Sequence, residues 1–507
     1  MVLTVDLVRQ GAIRWGNRTA MECGAAKLSF GQVDRLANRF ANALIGRGLA
    51  PQEAVGFFVD NGPFSVSLDF GCLKARAIRV PLNSRLSQAE HRAMLEQTRP
   101  RFLIASANLR DRAEALAEHL QGMEVLCLGE EAAAEPGWIT TAADGDPLLA
   151  TPPDDIVLAL FTSGTTGTLK AAQHSQASYA GICTNILANL VSPNRGDAMI
   201  HAASLIHASG TFVLPFWLRG GRSIVLEKFD PESYLGDAAE YGATHANVVP
   251  TMLQMLLAHS RSQDPGSLRN VIYGASPMPR PVMMDALERW GPIFTQYYGQ
   301  TEAPLALAVL SPQDHVGPDA PLSACGQVSV DVSLKLVNET GEVVGAGEVG
   351  EIAVAGPMVH KGYLDAPQLE RETRLADGFL RTRDMGRFDE RGFLHLVDRT
   401  SDMIVSGGYN VYPREVEDAL LDHPAVAECA VVGAPDPKWV ETVCAFIVAV
   451  PGRRPADREV GEWVRQRLAP HKAPRRIEWV ESLPKSAVGK VLRRELRDRL
   501  RSNTDDE

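Results

Sequence analysis

The chain has 507 residues, 45% hydrophobic and 22% charged, which is typical of water-soluble globular proteins and long enough for two or more domains. Its net charge of -11 argues against a general nucleic-acid or anionic-membrane surface. The seven cysteines form no Cys-x-x-Cys pair, and no apolar run is as long as a membrane span or a signal-peptide core. We therefore expect a cytoplasmic protein with no integral membrane segment, although a peripheral membrane contact stays open.

The first 315 residues alternate between helix-like and strand-like segments. An amphipathic helix is expected over residues 31–49, since Val33, Leu36, Phe40 and Leu44 fall on one helical face. Strands are then predicted at 54–59, 77–80 and 101–104, and helices at 63–74 and 87–98. Further strands are predicted at 198–202, 223–227, 246–249, 271–274 and 293–297, with helices such as 232–241 and 278–290. This alternation predicts parallel sheets covered by helices.

The pattern changes after residue 320. Short alternating strands separated by glycine turns predict a β-rich subdomain over about 321–399, followed by a polar linker at 398–402. Beyond the linker, helices are expected at 413–421, 457–468 and 492–500 and strands at 426–432 and 443–448. The predicted fold class is α/β, with a large N-terminal domain (1–399) of two βα-layered sheets plus the β-rich subdomain, and a small α+β C-terminal domain (400–507).

Residues 161–170, Phe-Thr-Ser-Gly-Thr-Thr-Gly-Thr-Leu-Lys, have the composition of a phosphate-binding loop. Glycines let backbone amides approach an anion, hydroxyls add donors, and Lys170 supplies positive charge. Ala171 follows Lys170 where a Walker A loop needs Ser or Thr, which disfavours P-loop kinases and GTPases. The alternative interpretation is a polar turn between two strands.

A second glycine-rich segment, residues 345–350, matches the dinucleotide fingerprint Gly-x-Gly-x-x-Gly. The residues that follow it, 351–355, alternate like a strand, whereas the fingerprint requires a helix whose N-terminus receives the pyrophosphate. We therefore predict a turn in a β-hairpin.

Residues 297–302, Tyr-Tyr-Gly-Gln-Thr-Glu, are predicted to follow a strand and to lie at the carboxyl edge of a parallel sheet, where open α/β folds bind ligands. An aromatic ring can stack on a base, a threonine hydroxyl can contact phosphate, and Glu302 is a hard oxygen ligand suited to Mg²⁺. Alone, this segment is equally typical of a Tyr-Gly turn with an exposed glutamate.

Together with segments 205–210, 382–386, 398–413 and 484–493, these motifs strongly resemble, in this order, the adenylate-forming superfamily. That superfamily contains acyl-CoA synthetases, peptide-synthetase adenylation domains and luciferases, and the resemblance covers residues 25–498. It implies that a carboxylic acid and ATP form an acyl adenylate and pyrophosphate. A mobile C-terminal domain then turns about a hinge near Ser401 and presents a thiol, here expected to be that of CoA.

The resemblance also implies a role for each motif residue. The phosphates of ATP are assigned to the loop residues Thr162, Ser163, Gly164, Thr165, Thr166, Gly167 and Lys170. Tyr298 is expected to stack on adenine, Thr301 to contact the α-phosphate, Glu302 to hold Mg²⁺, and Asp384 with Arg399 to bind the ribose. Lys490 is expected to stabilise charge during adenylation, His207 to act as a gate, and Gly407 and Gly408 to line the pantetheine tunnel.

The positions expected to form the acyl pocket are small or apolar: His207, Ala208, Thr211, Phe212, Val249, Gly274, Ala275, Tyr297, Gly299 and Leu305. None carries a charge that could pair with a second carboxylate, which makes a dicarboxylic substrate less favoured. We predict an acyl-CoA synthetase for medium- or long-chain fatty acids, with an aryl or alicyclic acid as the alternative. A carrier-protein acceptor, a homodimer, a non-catalytic binding module and a luciferase-like oxygenase all stay open.

The chain departs from the usual family pattern at four positions. Leu169 replaces a proline and Ala171 a glycine beside the loop lysine, and Arg383 replaces a glycine beside Asp384. Ser401 stands at the hinge, where Asp or Lys is usual. Because Lys170 is retained, we expect nucleotide binding to survive the changes beside it with altered affinity.

Overall fold

The computed structural model describes residues 2–129, 135–163, 169–259, 264–399, 402–406, 409–436, 440–485 and 491–502. Its helices α1 to α14 are Thr4–Trp15, Phe30–Gly46, Ser65–Lys74, Gln88–Thr98, Arg110–Ala117, Gln176–Asn189, Val213–Arg219, Tyr234–Glu240, Pro250–Ala258, Arg280–Trp290, Pro367–Thr373, Pro413–Leu421, Asp457–Arg465 and Arg493–Ser502. Its strands β1 to β25 are Thr19–Cys23, Ala26–Ser29, Ala54–Phe58, Ile78–Pro81, Phe102–Ala105, Glu124–Cys127, Ile156–Ser163, Leu169–Ser175, Ala198–His201, Arg222–Val225, His245–Val248, Asn270–Tyr273, Phe294–Gln300, Ala303–Leu310, Gln327–Val328, Ser333–Val337, Gly350–Ala355, Gly362–Tyr363, Leu380–Phe388, Leu394–Arg399, Ile404–Ser406, Tyr409–Val411, Val426–Asp436, Val440–Ala449 and Arg476–Trp479.

Two large sheets form the N-terminal part of the chain. One has the strand order β15-β14-β13-β12-β11-β9-β10-β1-β2, and the other β18-β8-β7-β4-β3-β5-β6. The predicted layering of helices on two sheets is confirmed, but the expectation of parallel sheets is only partly right. The β7/β8 and β13/β14 pairs are antiparallel, and the two residues between β13 and β14 leave room for a hairpin and not for a crossover helix.

A shared hydrophobic core joins the two sheets. It combines Leu158 of β7 and Tyr297 of β13 with residues of the helices between them, including Tyr179 and Ile182 of α6. Helix α2 packs the predicted apolar stripe inward, and Ser29 begins it with a capping box to Gln32. Helix α1, which the sequence did not predict, also packs into this core.

The β-rich region forms a separate sheet with the order β16-β17-β19-β20. Residues 345–349 form the last part of the connection 338–349 between the antiparallel strands β16 and β17, so the prediction of a hairpin turn in place of a dinucleotide site is confirmed. The predicted linker begins too early, because Asp398 and Arg399 belong to β20 and pair with Met385 and Asp384.

The C-terminal part forms a sheet of the order β22-β21-β24-β23, with β25 beside β24 and with helices α12 to α14. Helix α12 begins at Pro413, as predicted, and buries Val416 and Leu420 against the sheet. Ser401 lies outside the described residues, so the boundary at residues 399 and 400 and the hinge stay predictions. In the described ranges, no helix combines the length and apolar character that crossing a membrane requires.

Candidate functional site

A cavity of about 450 Å³ lies between the two large sheets. Its walls come from β7 and β8, from the hairpin between β13 and β14, from residues 205–211 and from the start of β19. One part of the wall is polar and charged and another is apolar, and this volume is in the usual range for small-molecule sites.

The polar end is built on the antiparallel pair β7 and β8. Thr162 and Lys170 lie opposite each other in the register, and both line the cavity. Burial, and after it the positive charge of Arg383, lowers the pKa of Lys170. Gly164, Thr165, Thr166, Gly167 and the side chain of Ser163 lie outside the described residues, so their phosphate contacts stay predictions. The observed hairpin position fits both interpretations of this segment, a turn and a phosphate loop.

The second polar wall is the turn between β13 and β14. Strand β13 continues to Gln300, three residues beyond the predicted end at residue 297, which corrects the expectation that residues 298–300 follow the strand. Thr301 and Glu302 then form the turn and line the cavity. The Tyr363 hydroxyl donates to Oε1 of Glu302 at 2.8 Å, and the ring nitrogen Nε2 of His174 lies 2.8 Å from the Thr301 carbonyl oxygen. These contacts hold the turn in place.

Tyr298 and Asp384 form a buried pair beside the cavity. The Tyr298 hydroxyl donates to Oδ2 of Asp384 at 2.7 Å, and the two residues are 6% and 7% exposed. Burial and the neighbouring carboxylate raise the pKa of Tyr298 well above its ordinary value. The Arg399 backbone pairs with Asp384, but the Arg399 side chain is not among the described parts of the structure. The cavity wall contains Tyr297 and not Tyr298, so stacking of Tyr298 on adenine stays a prediction.

Three residues of the cavity wall have left-handed backbone conformations although they are not glycine. Ala275, Leu305 and Arg383 have φ values of 66°, 64° and 62°. Such conformations are unfavourable for residues with a Cβ atom and concentrate at functional sites. Arg383 therefore has a backbone conformation that glycine adopts without this cost.

The apolar end contains most of the predicted acyl pocket. The lining residues among them are His207, Ala208, Thr211, Ala275, Tyr297, Gly299 and Leu305. Three others lie outside the lining: Phe212 is fully buried in the core, Val249 precedes α9, and Gly274 packs where an added Cβ would lie 2.6 Å from the Tyr297 carbonyl oxygen.

His207 is neutral at physiological pH. Burial, with a smaller contribution from the positive charge of Arg85, lowers its pKa to about 4. The Asn83 side-chain amide lies 3.0 Å from Nε2 of His207. Because an amide nitrogen can only donate, Nε2 accepts this bond and the ring carries its proton on Nδ1.

Sequence reasoning missed several groups in the wall, among them Arg79, Asp69 and Tyr363. Arg79 gives a weak sequence signal, because it is a single charge inside the otherwise apolar strand β4. Asp69 and Tyr363 belong to no pattern that the sequence analysis used.

A magnesium ion fits the donor set of this site only as a partner of phosphate oxygens. Among the described residues, no group of three or more His, Cys, Asp or Glu side chains could hold a metal ion. Glu302 supplies one hard carboxylate at the polar end, and Mg²⁺ typically binds through one or two carboxylates together with phosphates and water. Lys490, Gly407 and Gly408 lie outside the described residues.

Comparison with known proteins places the chain in one family. The AMP-binding enzyme model matches residues 8–364, and the AMP-binding enzyme C-terminal domain model matches residues 415–490. A feruloyl-CoA synthase of Amycolatopsis sp is 36% identical over 95% of this chain and 96% of its own length. A medium/long-chain-fatty-acid–CoA ligase of Mycobacterium tuberculosis is 36% identical over 96% of this chain and 88% of its own.

A solved structure of ATP-bound MatB from Rhodopseudomonas palustris is 28% identical, has a TM-score of 0.90 and covers 98% of both chains. The predicted resemblance is thus confirmed over both parts of the protein. The chain belongs to the AMP-binding enzyme family, the adenylate-forming superfamily, and it is an AMP-forming acid–thiol ligase.

Proposed function

We propose that this ligase activates a monocarboxylic acid with ATP and transfers its acyl group to CoA. The observation that carries the proposal is a cavity that joins a cation, hydroxyls and a carboxylate at one end to an apolar wall at the other. In the first step a carboxylate oxygen attacks the α-phosphorus and pyrophosphate leaves. In the second, the CoA thiol gives up its proton, its sulfur attacks the acyl carbon, and AMP leaves.

The polar end has the groups that a triphosphate needs. Lys170 supplies positive charge, and Thr162 and Thr301 supply hydroxyl donors that add no charge. Glu302 would hold Mg²⁺, which neutralises phosphate charge when it is bound. The hydrogen bond from Tyr363 fixes one Glu302 oxygen and leaves the other carboxylate oxygen as the better candidate ligand.

The buried pair of Tyr298 and Asp384 suits the nucleoside. Asp384 can accept hydrogen bonds from the ribose hydroxyls, and the Tyr298 hydroxyl fixes the orientation of that carboxylate. Tyr298 packs in a core with Leu307 and Leu336, on the face of β13 opposite Tyr297 and Gly299, so stacking on adenine requires its ring to turn towards the cavity. The contribution of Arg399 to this subsite is part of the same proposal.

The apolar end would hold the body of the acid. His207 remains neutral over the physiological pH range, so the acid meets no fixed charge from this ring as its carboxylate approaches the α-phosphate. The wall of this end includes the small and apolar residues Thr211, Ala275 and Leu305. The gate role of His207 is a proposal supported by its place in the cavity wall.

CoA is the proposed acceptor because both curated relatives described above are named as enzymes that form CoA thioesters. Gly407 and Gly408 would line the path of the pantetheine arm, Lys490 would stabilise charge during adenylation, and Ser401 would serve as the hinge. We also propose a cytoplasmic location, supported by the seven cysteines, all of which are free thiols. A homodimer stays a prediction.

Pyrophosphate release across straight-chain, branched, alicyclic and aromatic acids, each with and without CoA, tests this function. We expect acid-dependent pyrophosphate release and an acyl-CoA product identified by mass spectrometry. Release that never yields an acyl-CoA would contradict CoA as the acceptor. The absence of release for every acid, in a protein that still binds ATP, would contradict ligase activity and favour a binding module.

A further inference from the structure

The cavity wall contains an unpaired buried donor. Arg79 of β4 is 6% exposed, and its Nε donates to the Val157 carbonyl oxygen at 3.2 Å. Its guanidinium also forms an ion pair with Asp69 of α3, and both residues line the cavity. The remaining nitrogen, Nη2, is buried and has no hydrogen-bond partner among the described residues. A buried donor without a partner is unfavourable, so a ligand oxygen at this point would stabilise the site.

The sheet register places Arg79 far from the phosphate end. Arg79 lies opposite Leu158 of β7, and Thr162 is four residues farther along the same strand, a separation of about 13 Å. Leu158, Leu160 and Thr162 share one face of β7 because side chains alternate along a strand, and all three line the cavity. An acid that is activated at the α-phosphate, beside Thr301 at the polar end, and that extends along this face of β7 therefore reaches Arg79.

The surroundings of Arg79 select a neutral polar group. The Tyr179 ring centroid is 5.2 Å from the guanidinium carbon, and Leu158 and Ile182 add apolar wall. Asp69 balances the charge of Arg79, so a second carboxylate on the ligand would bring an uncompensated negative charge into a buried site. A hydroxyl group fits both partners, because it can accept from Nη2 of Arg79 and donate to Asp69, whose side chain is 29% exposed.

We infer that the preferred acid carries a hydroxyl group at the end remote from its carboxylate, held between Arg79 and Asp69. The inference rests on the proposed function, since it names the class of acid that the ligase activates. The inference favours a phenolic or hydroxylated acid over the plain fatty acid that the sequence predicted. It agrees with the prediction that a dicarboxylic acid is a less favoured substrate.

Matched pairs of acids test the inference with the unmodified protein. The pairs are para-hydroxycinnamic acid against cinnamic acid, and an ω-hydroxy fatty acid against its parent and its dicarboxylic analogue. We expect kcat/KM for pyrophosphate release to be about tenfold or more higher for the hydroxy acid in at least one pair. A preference for the hydroxy acid in the cinnamic pair indicates a phenol, and a preference in the fatty-acid pair indicates an alcohol. Equal or higher kcat/KM for the parent acid in both pairs would overturn the inference.

A double variant assigns the preference to the ion pair. Arg79→Met combined with Asp69→Leu removes both charges and leaves neither partner buried alone. It should lower kcat/KM for the preferred hydroxy acid to within about twofold of the parent acid, a loss of about tenfold or about 1.4 kcal/mol. The matched control is Arg76→Met with Asp155→Leu, an ion pair at 2.7 Å whose residues are not in the cavity wall. The control should keep the preference, and retention of the preference by the Arg79 and Asp69 variant would refute the assignment.

Calorimetric titration of the unmodified protein with each acid, without ATP, separates this inference from the proposed function. Tighter binding of the hydroxy acid without any turnover would support the subsite and contradict the ligase. Turnover of hydroxy and parent acids with equal efficiency would support the ligase and contradict the subsite. Neither binding nor turnover of any hydroxy acid would overturn both.

Discussion

Replacing Arg383 by glycine should stabilise the protein, although most arginine-to-glycine changes do the opposite. Arg383 has a φ of 62°, and a left-handed conformation costs a residue with a Cβ atom about 1–2 kcal/mol. Glycine removes this cost but gives the unfolded chain more conformational freedom, which offsets about 0.5–1 kcal/mol of the gain. We expect the free energy of unfolding to rise by about 0.5–1 kcal/mol in the Arg383→Gly variant.

The same substitution should weaken ATP binding. Arg383 lines the polar end of the cavity, and its charge contributes to the lowered pKa of Lys170, so the two cations face one region. Loss of a partly exposed charge opposite a phosphate costs about 0.2–1 kcal/mol, which corresponds to a rise of up to about fivefold in the KM for ATP. Higher stability with poorer ATP binding is a combination that a general loss of structure cannot produce.

Thermal unfolding and the KM for ATP in the pyrophosphate assay together check this prediction. The matched control is Arg387→Gly, which changes an exposed residue of the same strand that is not among the positive-φ residues. The control should lose stability and keep its KM for ATP. A loss of stability in Arg383→Gly equal to that of the control, with an unchanged KM, would refute the reasoning.

Three other predictions follow from the site and the core. The Tyr363→Phe variant removes the donor to Glu302 and should raise the half-saturating Mg²⁺ concentration about tenfold, whereas Tyr241→Phe, a hydroxyl distant from the site, should not change it. Ser401→Pro should slow thioester formation and leave adenylation largely intact, and equal losses in both half-reactions would count against a hinge there. Burial lowers the pKa of five histidines to about 3 or 4: His174, His201, His207, His245 and His360. Because the unfolded forms titrate near 6.5, these groups stabilise the fold above about pH 6.5 and lose that contribution as the pH falls towards 4, so a thermal midpoint unchanged between pH 7.5 and pH 5 would contradict their burial.

Much of the fold could be predicted because local patterns and tertiary packing agree. The stripe of α2 and the start of α12 at Pro413 follow from apolar spacing and helix-start chemistry. The antiparallel pairing of β7 with β8 could not be predicted from the apolar pattern alone, because a buried strand has the same composition in either direction. The end of β13 was misplaced for a related reason, since residues 297–300 combine strand-forming tyrosines with a glycine that normally indicates a turn.

The candidate site, like the fold, could be predicted only in part. Lys170, Thr301 and Glu302 belong to compact motifs, and the structure brings them to one cavity. Arg79 and Asp69 come from β4 and α3, more than 80 residues before the first motif in the chain. Only the three-dimensional packing of the two sheets places them in the wall, so sequence reasoning described the acyl pocket as uncharged.

Acyl-adenylate formation by the Lys490→Ala variant tests the central claim most directly. Mass spectrometry of the acyl adenylate, together with calorimetric ATP binding, should show that Lys490→Ala abolishes adenylation and barely changes ATP affinity. The matched control is Lys485→Ala, a nearby exposed lysine that pairs with Glu428 at 2.8 Å, and it should keep adenylation. Undiminished adenylation in Lys490→Ala, or no adenylate from the unmodified protein with any acid, would contradict the account.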